Sequence, residues 1–225
     1  SAFCTSKFQK MLWTNRIFCG MIKDSVYLRD RQMRNLGGIK SMRKVVKFGG
    51  SSLASAEQFK KVGDIIRADK GRKYVVPSAP GKRFDGDIKV TDMLYACYAK
   101  AEKKEDITAS IAAIRERYME IINGLGLSLS LDDQFEVISE NFKKLAGSNY
   151  AASRGEYLNG IIMANYLGYE FIDAAEVIVF HEDGTFDAET TNEKLSARLA
   201  ECNNAVIPGF YGAKPDGSIQ TFSRG

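Results

Sequence analysis

Val45-Val46-Lys47-Phe48-Gly49-Gly50-Ser51-Ser52 is the stretch on which the reading of this chain turns. Two β-branched residues, at home on a pleated and half-buried backbone, mark the end of a strand. A lysine, a glycine pair, two hydroxyls and an amphipathic run follow. Glycine lets the backbone approach a ligand closely and turn its N–H groups toward it. A helix N-terminus beyond it adds positive potential for an anion, and Lys47 adds a full charge at the same spot. A Gly-Gly pair alone marks an ordinary turn. Lysine, glycines and hydroxyls together describe a phosphate-sized turn with a cation at its mouth.

Downstream, Ser55-Ala56-Glu57-Gln58 fits a helix-opening capping box. Ala56, Phe59, Val62 and Ile66 then share one helical face, and Gly71 closes the segment. Tyr74-Val75-Val76-Pro77 is the next strand. A strand–helix–strand unit is parallel, and ligands bind at the carboxyl ends of such strands. A second loop reaches that edge, Pro77-Ser78-Ala79-Pro80-Gly81-Lys82-Arg83, too rich in Pro and Gly to be helical. Ser78 is placed there to donate to an anion, although in isolation it is an ordinary turn residue.

The pattern then predicts a helix over 87–100 with Val90, Leu94, Cys97, Tyr98 and Ala101 on one stripe. A second helix carries Ile111, Ile114, Tyr118, Ile121 and Ile122 and stops at Asn123-Gly124. A third, capped by Ser130, carries Leu131, Phe135, Ile138, Phe142 and Leu145 and stops at Gly147. These stripes read as core, in a helical insertion over one edge of the sheet. Ser153-Arg154-Gly155-Glu156 lies on a fourth helix, which ends at Gly168. Gly155 and Gly160 cost helix stability unless another group must come close. Strands are expected over 169–174, 177–180, 205–208 and 218–222, with a helix over 191–202 and a turn at Asp216-Gly217. Helices alternating with apolar strands give an α/β fold.

The 225 residues hold one sizeable domain, or a domain plus an appendage. At 44% hydrophobic and 27% charged the composition is that of an ordinary globular protein, and no run has the length of a membrane span. The net charge of +4 is uneven. Residues 1–41 carry eight basic and two acidic groups, a balance of +6; the rest carries 24 against 26, a balance of −2. The main body therefore implies no nucleic-acid partner. Cys4, Cys19, Cys97 and Cys202 have no metal-ligand spacing and read as free thiols in a reducing cytoplasm. A single histidine, His181, in a loop-like stretch, argues against a His-based zinc site or a Ser-His-Asp triad.

Residues 1–41 admit three readings: an acid-poor targeting peptide, a basic nucleic-acid-binding tail, or translated leader sequence ahead of a start at Met42. The last is preferred, because Gly37-Gly38 can be encoded by a ribosome-binding GGAGGN three codons earlier. The segment is expected to be a non-native or disordered basic extension, with 42–225 as the functional domain.

From about Met42 onward the chain resembles the aspartate kinases of the amino-acid kinase family. The matching motifs are Lys47-Phe48-Gly49-Gly50-Ser51-Ser52, Lys89-Val90-Thr91-Asp92, Ser153-Arg154-Gly155-Glu156 and Gly209-Phe210-Tyr211-Gly212. The loop with Pro80-Gly81-Lys82-Arg83 departs from the family's commoner small-residue form. The resemblance implies a three-layer α/β/α sandwich with a mainly parallel sheet, here the amino-acid-binding lobe. It also implies that the chain stops ahead of the G-S-D segment and the nucleotide-binding half, so that alone it would be inactive.

The implied reaction moves the γ-phosphoryl of MgATP to the side-chain carboxylate of L-aspartate in the cytoplasm. The first step of lysine, threonine and methionine synthesis is of this kind. Such a carboxylate is ionised at pH 7 and needs no general base, which suits a chain with one histidine. The resemblance assigns Lys47, Gly49, Gly50 and Ser51 to the phosphates, with Lys47 catalytic. It assigns Ser78, Thr91, Glu156 and Arg224 to the amino acid, Glu156 for its ammonium and Arg224 for its α-carboxylate. No protein metal ligand is implied, and a full-length form leaves room for a homo-oligomer. The competing readings are a kinase of the same family for glutamate, acetylglutamate, carbamate or UMP, and a non-catalytic amino-acid-binding fragment. A dinucleotide oxidoreductase is disfavoured, because no GxGxxG follows the first strand.

Overall fold

Residues 43–222 are described in a computed structural model. The basic segment 1–41 and Arg224 lie outside them. Strand β1 (Lys44–Phe48) leads through a 3-10 turn (Gly50–Leu53) to helix α1 (Ala56–Arg67) and strand β2 (Arg72–Pro77). Four helices follow: α2 (Val90–Glu102), α3 (Thr108–Leu125), α4 (Asp132–Lys143) and α5 (Ser148–Leu167). The chain then alternates through β3 (Glu170–Phe171), α6 (Ala174–Val177), β4 (Val179–Phe180), β5 (Phe186–Asp187), α7 (Ala188–Ala200), β6 (Ala205–Val206), β7 (Tyr211–Ala213) and β8 (Ile219–Thr221).

The strands form two sheets. One is wholly parallel in the order β1-β2-β6-β3; the other is mixed, β5-β4-β7-β8. Alternation along β2 and β6 separates two cores. Val75 and Val206 face the core shared with α1 to α5, whereas Tyr74, Val76, Ala205 and Ile207 face the one built with α7 and the second sheet. The parallel sheet is therefore the middle layer of an α/β sandwich. The strands expected over 177–180 and 218–222 appear here as β4 and β8, but their assembly into a second sheet was not foreseen, because β5 and β7, which pair with them, are too short to show a period.

Most predicted stripes are buried, including all five residues expected on α2. The boundaries differ for local reasons. The glycine turn runs into a 3-10 turn, and the first α-helix waits for Ser55, whose Oγ accepts from Gln58 N. Helix α2 begins at Val90 instead of 87, because the Asp87 carboxylate is taken by the backbone N–H and guanidinium of Arg83. Gly124 does not stop α3: a Cβ there would lie 2.5 Å from that of Ala56, so this glycine permits a helix contact. The stop is Gly126, at φ 68°. Leu145 leaves the predicted core stripe, being left-handed at φ 56° and 49% exposed. The strand expected over 169–174 is cut short where Asp173 caps α6. Helix α7 starts at Ala188, under Asp187.

No helix among the described residues is long and apolar enough to cross a membrane. Cys97 is a buried free thiol, and Cys202 Sγ lies 3.9 Å from Arg198 O. His181 is exposed, its Nδ1 3.9 Å from the Asp187 carboxylate.

Candidate functional site

The parallel register pairs Lys47 with Val76 and Phe48 with Pro77, so β1 and β2 end side by side. The two loops that leave them are joined by backbone hydrogen bonds. Ser78 N donates to Phe48 O at 3.1 Å, and Gly81 N donates to Gly50 O at 2.9 Å. Side chains are excluded at this junction. A Cβ on Gly50 would stand 2.8 Å from Ala79 O, and one on Gly81 would stand 2.7 Å from Gly50 C. Gly49, by contrast, has open space around it, and both it and Ser51 are exposed.

Helix α5 closes the junction from the other side. A Cβ on Gly155 would lie 2.8 Å from Ala79 Cβ and 3.8 Å from Thr91 Oγ1, so loop 77–83, the first turn of α2 and the second turn of α5 meet here. One helical turn on, Asn159 Nδ2 donates to Ser78 O at 2.6 Å. Tyr118 of α3 donates its hydroxyl to Gly155 O at 2.8 Å. Burial pushes that phenol well above its ordinary pKa, and the negative charge of nearby Glu156 pushes it further. Arg117 donates to Gly81 O at 3.0 Å and faces Asp87 at 3.4 Å. Asp87 also pairs with Arg83, which reaches Glu120. Burial alone would raise the Asp87 pKa, but hydrogen bonds and charge from Arg83 outweigh it and hold the carboxyl below its usual range.

The expected site residues fall around this junction. Lys47 is half-buried at the end of β1; Ser78 is half-buried in the loop beside it; Thr91 and Glu156 are buried on α2 and α5. Arg224 lies outside the described residues. The chain ahead of it is anchored at the first turn of α5, where Thr221 Oγ1 meets Asn149 Oδ1 at 2.8 Å. Phe222 N donates to Phe210 O at 2.9 Å.

Sequence reasoning missed Arg117 and Asn159, and it read Tyr118 only as core and Phe210 only as part of a turn motif. Asn159 left a trace, a polar residue one turn beyond Gly155 on a buried helix face. Phe210 has a φ of 82°, a conformation that a bulky residue adopts only where its surroundings compel it. Among the described residues no group of three or more His, Cys, Asp or Glu is arranged to hold a metal ion. Loop amides, a lysine, hydroxyls and one buried carboxylate suit an anion beside a small zwitterion.

The chain is similar to known proteins over about 80% of its length. Aspartokinase 3 of Bacillus subtilis is 37% identical over 197 residues, covering 80% of this chain and 43% of that protein. The aspartokinase of Chlamydia trachomatis is 27% identical over 197 residues, with the same coverage. Among solved structures, the aspartate kinase of Clostridium acetobutylicum superposes with a TM-score of 0.77 at 50% identity, over 80% of this chain and 42% of that one. Aspartokinase III of E. coli, solved with aspartate and ADP, shares the fold at a TM-score of 0.65 and 22% identity, over 82% and 44%. The chain thus spans less than half the length of each of these relatives. Residues 42–225 match the family model described as the amino acid kinase family. With the parallel sheet, the glycine junction and a match that runs from β1 to the last residue, the chain belongs to the amino acid kinase family.

Proposed function

We propose that this chain is the amino-acid-binding part of an aspartate kinase, which transfers the γ-phosphoryl group of ATP to the side-chain carboxylate of L-aspartate. The observation that carries the reading is the junction of Gly50, Gly81 and Gly155, where two loops from adjacent parallel strands meet the helix that bears Glu156. The relatives' names supply the substrate.

In the reaction an oxygen of the aspartate β-carboxylate forms a bond to the γ-phosphorus. The bond from that phosphorus to the β–γ bridging oxygen breaks, and ADP leaves. The nucleophile is already an anion, so the chain's task is electrostatic. Lys47 and the amides of Gly49, Gly50 and Ser51 offset charge on the phosphates. Ser78 and Thr91 orient the attacking carboxylate. Glu156 receives the α-ammonium, and Arg224 pairs with the α-carboxylate. Mg2+ carried in with the nucleotide would supply further charge neutralisation. The proposal includes a cytoplasmic location, a non-native origin for residues 1–41, and self-association of a full-length form.

The test has two parts. Calorimetric titration of the 225-residue chain with L-aspartate should give saturable binding, weakened about tenfold or more by Glu156→Gln, the loss expected when one partner of a charged hydrogen bond is removed. In a protein that joins this sequence to the downstream half of its relatives, an ATP- and aspartate-dependent hydroxamate assay should show turnover, abolished by Lys47→Met. Preference for glutamate or acetylglutamate over aspartate would overturn the substrate, and near-normal turnover of Lys47→Met would overturn the role of the lysine.

A further inference from the structure

On the other side of α5 lies a cavity of about 120 Å³, lined by Asp133, Gln134 and Val137 of α4 and by Tyr150, Arg154 and Tyr157 of α5. Residues 154 and 156 stand about 200° apart around a helix of 3.6 residues per turn, so the cavity is on a different face from Glu156. Arg154 is only 6% exposed. Its guanidinium lies over the rings of Tyr157, Tyr150 and Tyr211, at 4.3, 4.7 and 5.4 Å. Its Nε donates to Ser153 Oγ at 3.0 Å, but Nη2 is buried and meets no hydrogen-bond acceptor among the described residues. The carboxylate of Asp173, on the far side of the cluster, already accepts from Tyr211 Oη at 2.7 Å and from Ala175 N at 2.9 Å. Aromatic faces offset part of the cost of burying a cation, yet an unmet donor on a charged group remains costly.

We propose that this cavity is a binding site for a small monocarboxylate, whose oxygens accept from Arg154 Nη2 and whose short apolar stem lies against Val137 and the tyrosine rings. The volume sets the size: an apolar cavity of about 150 Å³ takes a benzene, so this one suits a ligand of about five heavy atoms. The charge sets the valence. Asp133 on the opposite wall opposes a second negative charge, which disfavours phosphate and dicarboxylates. The planar guanidinium suits a carboxylate, and the Gln134 amide supplies a second donor. The site is independent of the reaction proposed for the rim.

Sodium propionate is titrated into the 15N-labelled 225-residue chain at constant ionic strength, and the arginine side-chain N–H signals are followed. The Arg154 Nε–H signal, assigned by its absence in Arg154→Lys, should shift saturably, with succinate and inorganic phosphate at least tenfold weaker. Val137→Trp fills the cavity from an exposed position and leaves the arginine in place; it should abolish the propionate shift while the remaining spectrum persists. Glu156→Gln should leave propionate binding intact. A shift that does not saturate, equal or tighter binding of phosphate or succinate, binding that survives Val137→Trp, or binding lost in Glu156→Gln would each overturn the site.

Discussion

The glycine junction makes a quantitative prediction, because adjacent glycines in one turn differ sharply in their surroundings. A Cβ at Gly50 would meet Ala79 O at 2.8 Å and Gly81 N at 3.1 Å, both backbone atoms that no rotamer change can move. A relaxed carbon–oxygen contact is about 3.3 Å or more, so the two loops must part by roughly 0.5 Å. That movement stretches the hydrogen bond from Gly81 N to Gly50 O from its 2.9 Å to the edge of useful geometry. Overpacking costs about 1–3 kcal/mol, and the weakened bond adds about 0.5–1.5. Gly50→Ala should therefore destabilise by roughly 1.5–4.5 kcal/mol, lowering Tm by about 3–18 °C for a chain of this size. Gly49 is the control. It sits at φ −78° and ψ 167°, ordinary for alanine, with nothing within 4 Å of a Cβ. Gly49→Ala should be neutral, or stabilising by about 0.4–1 kcal/mol through the unfolded chain. Urea titrations followed by circular dichroism give both values, with an unchanged m confirming that the change lies in stability. Coincident midpoints for the two variants would refute the idea that the junction is closed by backbone contact.

Three further outcomes follow from single residues. Phe210→Gly should be more stable than Phe210→Ala by about 1 kcal/mol in the same assay, because both lose the ring and only glycine is at ease at φ 82°. Leu145→Asn should raise the midpoint slightly, by roughly 0.5 kcal/mol or less, since an exposed left-handed position suits asparagine better than leucine. Burial pushes the Cys97 thiol up to about 11 from 9.0, outweighing the opposing charge of Lys100, so a thiolate reagent at pH 8 should label it only after denaturant is added, as mass mapping of the modified peptides would register. The sign for stability follows: above pH 9.0 the unfolded chain releases this proton while the folded chain keeps it, so the Cys97 contribution declines between 9.0 and about 11.

What the sequence disclosed, and what it hid, depends on how local each signal is. The β1 turn, the α2 stripe and the end of α5 at Gly168 were legible, because a period or a glycine within a few residues specifies each. The second sheet was legible only as the separate strands β4 and β8, not as a sheet. Its strands are two or three residues long, held by partners far along the chain, as when Val179 pairs with Ala213. Glycines were legible as special but not by kind: Gly124 looked like a stop and is a helix contact, and Gly126 is the stop. The site divides in the same way. Lys47, Thr91 and Glu156 stand in motifs, whereas Arg117, Tyr118 and Asn159 lack one, because they act by hydrogen-bonding carbonyls of other segments, and only coordinates say which.

Those three residues also explain why the rim is held so closely. A loop such as 77–83 carries carbonyls that no sheet or helix satisfies, and solvent would otherwise compete for them. Here Gly81 O takes the buried guanidinium of Arg117, and Ser78 O takes the amide of Asn159. Gly50 O takes Gly81 N, so the loop is fixed at both ends and to its neighbour. Each donor comes from a different element, α3, α5 and loop 77–83 itself, and each bond is drawn toward the point where Gly50, Gly81 and Gly155 leave no room for a side chain. The helices inserted between β2 and β3 are therefore more than a cover for the sheet. Without them the loop that carries Ser78 would keep its sequence and lose its shape, and the anion site proposed at this turn would be lost with it.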